Sequence, residues 1–427
     1  MKTIIKNARV VDPANNLDAI VDLAIENGKI SKIGNDLRVN GSQLIDAKDK
    51  IVIPGIVDMH VHLREPGRED KETVFSGTRA AVKGGVTSLL AMPNTTPAID
   101  SPENVSLLNS IIKRSAQCNV FISGTITKER AGKQASDVSG LKKAGAIAIT
   151  DDGASVDDDK IFMQALEKAA RENILVIAHC EDKALSKGGV VNLGFISTKL
   201  GLRGIPKESE YSRVERDIIL AQKAKAAIHI AHVSCKESVD IIAQAKNNGI
   251  QVTCETAPHY FALSEEDVAG YDTNMKMNPP LRAKEDLAAI REGLRSGIID
   301  AIASDHAPHT ENEKDIEFER AEFGKIGLES GLVVCIQQLI GKGILDWKAL
   351  VEKIALNPAR ILGINKGTLG IGRDADLVII DPKKEMILAK EGILSKSKNS
   401  PFIGRKFIGS VERTILAGQI VYEGANK

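Results

Sequence analysis

The middle of the chain alternates between short apolar runs and helical patterns, and this alternation limits the possible folds more than any other feature. Eight runs have the length and composition of strands: 56–60, 86–92, 119–124, 146–150, 174–178, 228–231, 251–254 and 299–303. Between most of them, apolar residues recur at helical spacing, as in 74–82 and 161–169, and Gly84, Gly85 and Asn173 end these two patterns. Eight strands alternating with helices predict an α/β fold of the (β/α)8 TIM-like barrel type.

Both ends of the chain differ from the middle. Short β-rich pieces separated by turn residues occur at 4–11, 19–25, 30–33, 376–380, 407–408 and 411–420. They predict a small β-sandwich domain built from both termini, residues 1–54 and 366–427, beside a catalytic barrel of residues 55–365. A length of 427 residues suits a barrel of about 250 residues with a smaller domain. The serine- and lysine-rich segment 388–401 is predicted to be an exposed loop of the sandwich.

Charge and cysteine content restrict the partners and the compartment. The chain carries 57 basic and 57 acidic residues, so it lacks the basic field that holds nucleic acid or anionic lipid. It has no secretion signal at its start and no run of about 20 apolar residues to cross a membrane. Its five cysteines form no C-x-x-C pair. We therefore expect free thiols, a cytoplasmic location, and neither nucleic acid nor membrane as a partner.

The first barrel strand ends in a candidate metal-binding motif, DMHVHLR at 58–64. Residues two apart in a strand point to the same face, so His60 and His62 direct two imidazoles toward one point. This arrangement suits zinc, which takes imidazole nitrogen at about 2.0–2.1 Å. The alternative is a chance pair on a half-exposed strand.

Further ionisable side chains follow other predicted strands. His179 follows 174–178, His232 follows 228–231, Asp305 follows 299–303 after one serine, and Asp151 with Asp152 follows 146–150. One such histidine is more often a packed or surface residue than a ligand. Several at the face where a barrel carries its active site instead predict a metal centre. His229 is an odd number of residues from His232, so we interpret it as structural or outward-facing.

Three segments resemble those of a known family. DMHVHLREP at 58–66, MPNTTP at 92–97 and ASDHAPH at 303–309 are similar to the signature segments of dihydroorotases, in the amidohydrolase superfamily. The resemblance implies a metal-dependent barrel with a β-sandwich. The implied reaction is the reversible cyclisation of N-carbamoyl-L-aspartate to L-dihydroorotate, with loss of water, in pyrimidine biosynthesis. The implied metal ligands are His60, His62, Asp152, His179, His232 and Asp305.

The chemistry requires a hydroxide at neutral pH and a polarised carbonyl, both of which zinc supplies. Asp305 is the expected acid/base, taking the proton and passing it to the ring nitrogen. Many amidohydrolases bridge two zincs with a carboxylated lysine after strand four, where this chain has Asp151 and Asp152. Asp152 is the expected bridge. A shorter carboxylate predicts one tightly held zinc and a second that is weak or absent.

The resemblance also implies a substrate set: His62, Arg64, Asn94, Asn278, His309, Phe323 and Gly324. The Arg64 fork suits bidentate capture of a carboxylate, although a surface ion pair would also explain it. Asn94 and Asn278 could instead be turn residues, which is a common role for asparagine, and His309 could be a loop histidine without a role in binding. The charged stretch 310–323 is either a mobile lid or a solvated loop.

Three functions fit the sequence. The first is dihydroorotase. The second is a hydantoinase or dihydropyrimidinase, disfavoured because those relatives have the bridging lysine and bind rings without an α-carboxylate. The third is an inactive dihydroorotase-like scaffold for aspartate transcarbamoylase, which would not need an intact set of ligands. A complex with that transcarbamoylase and a homodimer are both compatible with the sequence.

Overall fold

The computed structural model describes residues 2–38 and 41–424, so the outermost residues of the predicted β-domain and residues 39–40 lie outside it. Its centre is a sheet of eight parallel strands whose spatial order follows the chain. These strands are Ile56–Val61, Val86–Ala91, Asn119–Gly124, Ala146–Ile149, Leu175–Ala178, Ile228–Ile230, Val252–Thr256 and Ala301–Ile302. A parallel bridge between Val61 and His306 joins the two ends of the sheet. The predicted TIM-like barrel is confirmed.

Helices cover the outside of the barrel. The long ones are Val74–Lys83, Pro102–Ser115, Val138–Ala144, Asp159–Glu172, Glu208–Ala224, Lys236–Asn247 and Lys284–Ser296. In Asp159–Glu172, the Asp158 side chain caps the first turn and Asn173 ends the helix in the left-handed region at φ 50°. Phe162 and Leu166 lie on its buried face, which confirms the helical spacing predicted over 161–169.

Shorter helical pieces fill the connections. The α-helical ones are Lys183–Ser186, Phe195–Leu200, Pro258–Ala262, Glu311–Lys314, Gly331–Cys335, Trp347–Val351 and Asn357–Ile361. The 3-10 and π turns are Pro13–Asn15, Lys128–Arg130, Glu265–Gly270, Thr273–Met275, Ile336–Ile340, Glu352–Leu356 and Lys390–Gly392. A two-stranded pair, Val191–Asn192 with Gly204–Ile205, lies outside the two large sheets. Within residues 2–38 and 41–424, no helix is long and apolar enough to cross a membrane.

The two termini share a second sheet, which confirms the predicted β-sandwich. Its strands are Lys2–Asp12, Leu17–Glu26, Lys29–Gly34, Gln43–Asp46, Ile51–Pro54, Leu377–Ile387, Lys406–Leu416 and Gln419–Glu423. Ile51–Pro54 pairs with Lys2–Asp12 on one side and with Leu377–Ile387 on the other, and so joins the N- and C-terminal parts. Ile5, Leu23 and Ile379 belong to a separate apolar core of this domain.

One predicted strand is wrong. The apolar pattern over 411–420 indicates a single strand, but the chain reverses at Ala417 and Gly418, whose φ angles are 45° and 76°. Lys406–Leu416 and Gln419–Glu423 then pair antiparallel. The Ala417 N–H donates to the Asp376 carboxylate at 2.7 Å, a contact from a distant part of the chain that the local pattern does not reveal.

The prediction of an exposed loop over 388–401 is also wrong. Ser395, Ser397 and Asn399 are buried. The Ser395 hydroxyl donates to the buried Glu72 carboxylate of the barrel, and the Ser397 hydroxyl donates to the Lys71 carbonyl at 2.6 Å. The polar residues of this segment are therefore satisfied by barrel groups, and the segment packs across the barrel from the sandwich.

Candidate metal centre

The barrel strands bring the predicted ligands together at their carboxyl ends. His60 lies on the first strand and His62 directly after it, and His179 directly follows Leu175–Ala178. His232 and Asp305 both have left-handed backbone angles, with φ 36° and 48°. Such angles are strained for residues other than glycine and persist where the surrounding structure imposes them, often at functional sites.

Asp152 lies at the centre of four imidazoles. Its Oδ2 is 3.3 Å from Nε2 of both His60 and His62. Its Oδ1 is 3.4 Å from Nδ1 of His179 and from Nε2 of His232. One carboxylate therefore faces two histidine pairs, one with each oxygen. This is the arrangement expected of a group that bridges two metal ions.

The spacing and the unpaired atoms of this cluster fit a metal. Ligands at 2.0–2.1 Å from a tetrahedral ion lie about 3.3–3.4 Å apart, and the contacts of Asp152 match this separation. His179 and His232 are closer, with 2.8 Å between Nδ1 and Nε2. Among the described residues, the buried His60 Nε2 and Asp152 Oδ1 have no hydrogen-bond partner. Buried polar atoms are otherwise almost always paired.

The second nitrogen of three histidines is held by another side chain. Nδ1 of His60 is 2.7 Å from Glu255 Oε1, and Nδ1 of His62 is 2.8 Å from Asn94 Oδ1. Nε2 of His179 is 3.3 Å from Glu181 Oε2. Such contacts fix the ring and leave the other nitrogen available to a metal.

Sequence reasoning gives Glu255 no role, whereas the position of Glu181 two residues after His179 suggests a residue that could orient this histidine. Glu255 lies inside the strand Val252–Thr256, and an acidic residue within a barrel strand is the signal that could have identified it. Burial acts to raise the pKa of Glu181, but His179, Ser186 and Asn278 outweigh it and lower the pKa to about 2. Asn278 thus contacts a group that orients a candidate ligand.

Two neighbouring residues turn away from the cluster. Asp151 accepts hydrogen bonds from the N–H groups of Ile126 at 2.8 Å and Thr127 at 3.0 Å. Its carboxylate therefore binds backbone groups, whereas that of Asp152 faces the histidines. His229 is buried inside the barrel, with Nδ1 2.8 Å from Thr253 Oγ1 and Nε2 3.5 Å from Glu255 Oε2. It is structural, and the outward-facing alternative is wrong.

Asp305 approaches the first histidine pair only. Its Oδ1 is 3.7 Å from His60 Nε2 and 3.6 Å from His62 Nε2. Burial acts to raise the pKa of Asp305, but the nearby histidines outweigh it and hold the pKa far below its usual range. The preceding Ser304 donates its N–H to Asp58 at 3.0 Å and accepts from Lys325 Nζ at 2.5 Å. These contacts fix the backbone that carries the carboxylate.

Arg64 and His309 face each other beside this centre. Nη2 of Arg64 is 3.3 Å from Nε2 of His309, and its Nε donates to the Pro308 carbonyl at 3.1 Å. Burial lowers the pKa of Arg64 to about 10, so it remains a cation at neutral pH. The surface ion pair considered as an alternative for Arg64 is not what the structure contains, because its contacts are with His309 and a backbone carbonyl.

Of the remaining residues in the predicted substrate set, Gly324 lies beside His309, whereas Phe323 contacts Lys276. Gly324 has φ 133°, and a Cβ added there would lie 3.1 Å from His309 Nε2, so a larger residue would crowd the imidazole. The ring of Phe323 faces Lys276, with Nζ 4.6 Å from its centroid. His309 also lines a cavity of about 840 Å³, but this cavity is distinct from the metal centre, because none of the candidate ligands and neither Arg64 nor Asn94 lines it.

The charged stretch 310–323 is attached to the body of the protein. Lys314 is buried and donates to the carbonyls of Glu322 at 2.7 Å and Gly324 at 3.1 Å. Lys276 donates to the carbonyls of Phe318 and Glu319 at 2.9 Å. These bonds oppose a freely solvated loop, while the role of a lid stays a prediction.

Comparison with known proteins identifies close relatives by sequence. A family model described as dihydro-orotase-like matches residues 49–238. A dihydroorotase from Elusimicrobium minutum is 50% identical over 423 residues, covering 99% of this chain and 98% of that protein. A dihydroorotase from Trichlorobacter lovleyi is 47% identical over 425 residues, covering 99% of this chain and all of that protein.

Solved structures give a similar fold with lower sequence identity. An L-hydantoinase (dihydropyrimidinase) from Arthrobacter aurescens superposes with a TM-score of 0.90 at 26% identity, covering 99% of this chain and 96% of that one. The barrel and the terminal β-domain are thus shared between the two activities, and the higher identity lies with the dihydroorotases.

Proposed function

This chain belongs to the dihydroorotase family, and on that premise we propose that its barrel mouth carries out the family's reaction on a zinc centre. The reaction is the reversible closure of N-carbamoyl-L-aspartate to L-dihydroorotate, with loss of water, in pyrimidine biosynthesis. The observation that carries the proposal is the position of Asp152, with each carboxylate oxygen facing one histidine pair.

The proposed ligands divide into two sites. His60 and His62 with Asp305 would hold one ion, His179 with His232 would hold the other, and Asp152 would contribute one carboxylate oxygen to each. The ligand atoms of His60, His62 and Asp305 lie within 4.8 Å of one another, which supports the first site, and those of His60, Asp152 and His232 do so across the two sites, which supports Asp152 as their shared residue. A divalent ion bound there would polarise a carbonyl and acidify water. Zinc suits imidazole and carboxylate ligands, although these donors narrow the metal without fixing it.

We assign proton transfer to Asp305. Its carboxylate is ionised, and the contact of Ser304 N–H with Asp58 fixes the backbone that carries it, so it is placed to accept a proton from the attacking water and deliver it to the ring nitrogen. In the biosynthetic direction the same carboxylate would take the proton from the ureido nitrogen as the ring closes and pass it to the departing hydroxide, which leaves as water. Lys325, which donates to the Ser304 carbonyl, supports the position of this loop.

We assign the substrate carboxylate to Arg64 and His309. The two side chains lie side by side, and a guanidinium fork matches the two oxygens of a carboxylate. Asn94 orients His62 through its carbonyl oxygen, which leaves its amide N–H₂ to donate to substrate. Asn278, Phe323 and Gly324 are proposed to complete the binding surface.

The two other functions have weaker support. The hydantoinase alternative rests on a shared fold at 26% identity, and the resemblance disfavours it because this chain has Asp152 where a bridging lysine is expected of hydantoinases. A scaffold has no need of an intact ligand set. The transcarbamoylase partner, the homodimer and the cytoplasmic location remain proposals, as does the division at residues 54 and 366.

Steady-state assays of chelator-treated and zinc-restored protein test this function. We expect activity on dihydroorotate to disappear with the metal and to return with zinc, while dihydrouracil, which lacks the carboxylate, is turned over poorly throughout. Faster turnover of dihydrouracil than of dihydroorotate would favour the hydantoinase alternative. Absence of activity on both substrates in the zinc-loaded protein would favour the scaffold.

A further inference from the structure

The imidazole of His309 lies between two cationic side chains. Lys71 Nζ is 3.1 Å from its Nδ1, and Arg64 Nη2 is 3.3 Å from its Nε2. Burial and the charges of Arg64, Lys71 and Lys314 lower the pKa of His309 far below its usual range, so the ring is neutral. A neutral imidazole has one accepting and one donating nitrogen. It can therefore accept a hydrogen bond from only one of its two cationic neighbours.

The surroundings of Lys71 favour it as that donor. Lys71 is buried, and its ammonium pairs with Glu313 Oε1 at 2.9 Å. Arg68 binds the same oxygen at 2.8 Å, which fixes the carboxylate in place. An ammonium has no acceptor capacity, so its contact with His309 requires an unprotonated Nδ1.

A carboxylate oxygen competes for the same nitrogen. Glu313 Oε2 lies 3.5 Å from His309 Nδ1 and would favour a proton there. This oxygen already accepts from the Thr310 N–H at 3.0 Å, and it is farther from the ring than the ammonium of Lys71. The balance of distances therefore places the proton on Nε2.

We propose that Lys71 is a positioning residue that holds His309 in the tautomer protonated at Nε2. The Nε2–H of His309 and an N–H of Arg64 then face each other as two donors without an acceptor between them. An arriving carboxylate supplies that acceptor, whereas an uncharged ring edge supplies it poorly. The inference rests on the proposed function, in which Arg64 and His309 hold the substrate carboxylate.

In the absence of substrate, removal of the Lys71 ammonium should allow Arg64 and His309 to form a hydrogen bond with each other. Without Lys71, Arg64 can donate to Nε2 of His309 while the ring proton moves to Nδ1, toward Glu313. Substrate would then have to break this internal hydrogen bond and would find one donor fewer. Affinity for dihydroorotate should fall, while the chemical step, which takes place at Asp305, should be little changed.

Kinetics of the zinc-loaded Lys71→Met enzyme test the effect on binding. We expect KM for dihydroorotate to rise by about tenfold or more, kcat to stay within about twofold, and turnover of dihydrouracil to be unchanged. Lys71→Arg, which keeps a cationic donor, should restore much of the affinity. Lys396→Met is the matched control, since this exposed lysine at the same rim donates to the Glu69 carbonyl; it should leave both constants unchanged.

Nitrogen-15 NMR of histidine-labelled enzyme reads the tautomer directly, with His309 identified by the signals missing from His309→Gln. We expect a protonated Nε2 in the native and Lys71→Arg enzymes, and a shift toward protonated Nδ1 in Lys71→Met. The same tautomer in native and Lys71→Met enzymes would overturn the role of Lys71 alone. An unchanged KM in His309→Gln would instead overturn the carboxylate site of the proposed function.

Discussion

Asp305 and Asp152 are both buried carboxylates among histidines, but they contact different sets of these histidines. Asp152 contacts both histidine pairs, whereas Asp305 contacts the first pair only. The carboxylate of Asp305 is therefore not shared between the two histidine pairs, and we propose that it exchanges a proton with substrate. The two residues should respond differently to substitution.

Asp305→Asn should lower kcat by at least about 10², because the amide keeps the shape of the side chain and loses the proton acceptor. The fold should persist, as followed by circular dichroism and thermal unfolding. Steady-state kinetics in both reaction directions provide the measurement. A folded variant with near-native kcat would remove Asp305 from proton transfer.

Arg64→Met should raise KM for dihydroorotate and leave the already poor turnover of dihydrouracil nearly unchanged. Donors without an acceptor cost about 1–3 kcal/mol each when buried, and only dihydroorotate offers the carboxylate. The preference for dihydroorotate over dihydrouracil, measured as the ratio of their kcat/KM values, should therefore decrease. Arg79→Met, at an exposed arginine of the helix Val74–Lys83 that lies over the ring of Phe75, is a control for loss of an arginine elsewhere on the barrel. Equal losses on both substrates would assign Arg64 to the fold.

The sequence alone predicts the residues whose position follows from strand geometry. His60 and His62 share a face because they are two apart, whereas the choice of Asp152 over Asp151 follows from the resemblance to dihydroorotases, which aligns Asp152 with the carboxylated lysine. Glu255 and Lys71 could not be placed in this way, because each acts on a histidine far away in the chain. Their roles depend on tertiary contacts that no local pattern contains.

At the level of elements, the segment 388–401 connects the β-domain to the site. Asn399 accepts from the His309 N–H at 3.1 Å and donates to the carbonyls of Ala307 and Gly324, each at 3.1 Å. One side chain thus ties together the two chain segments that carry His309 and Gly324. The accessory domain thereby contributes to the geometry of the barrel mouth.

Asn399→Ala should raise KM more than it lowers kcat, because it releases the backbone of His309 and leaves two buried backbone groups, the His309 N–H and the Ala307 carbonyl, without a partner, while the Gly324 carbonyl keeps its hydrogen bond from Lys314. Each such group costs about 1–3 kcal/mol, so the midpoint of thermal unfolding should also fall. Asn312→Ala, at an exposed asparagine of the helix Glu311–Lys314, is the control and should change neither. Native KM in a destabilised Asn399 variant would contradict the proposed link to the site.

Elements were predictable where the apolar period was unambiguous. The eight barrel strands appear as continuous apolar runs because most of their residues are buried on both faces, and the helix Asp159–Glu172 shows helical spacing because it buries one face. The segment 388–401 was not predictable, because its serines and Asn399 are buried by hydrogen bonding and not by apolar contact. A polar segment is predicted to be exposed when the groups that form hydrogen bonds with it lie in a distant part of the chain.

At the scale of the whole molecule, the fold is compatible with more than one activity, and the residues of the site distinguish between them. The hydantoinase match at a TM-score of 0.90 shows that one barrel with a terminal β-domain serves different cyclic amides. In this chain, the proposed determinants of activity on dihydroorotate are Asp152 between the histidine pairs and the pair formed by the cationic Arg64 and the neutral His309. The proposed metal centre depends on a bridging carboxylate that is shorter than a carboxylated lysine.

Zinc content per chain, measured by mass spectrometry during dialysis of zinc-loaded protein, tests this dependence most directly. The short Asp152 bridge should hold the second ion weakly, so the content should fall from two zincs to one, the tight ion staying with His60, His62 and Asp305. Asp152→Ala should start at one or fewer. Two zincs retained after exhaustive dialysis would contradict the weak second site, and an unchanged zinc content in Asp152→Ala would contradict the bridge.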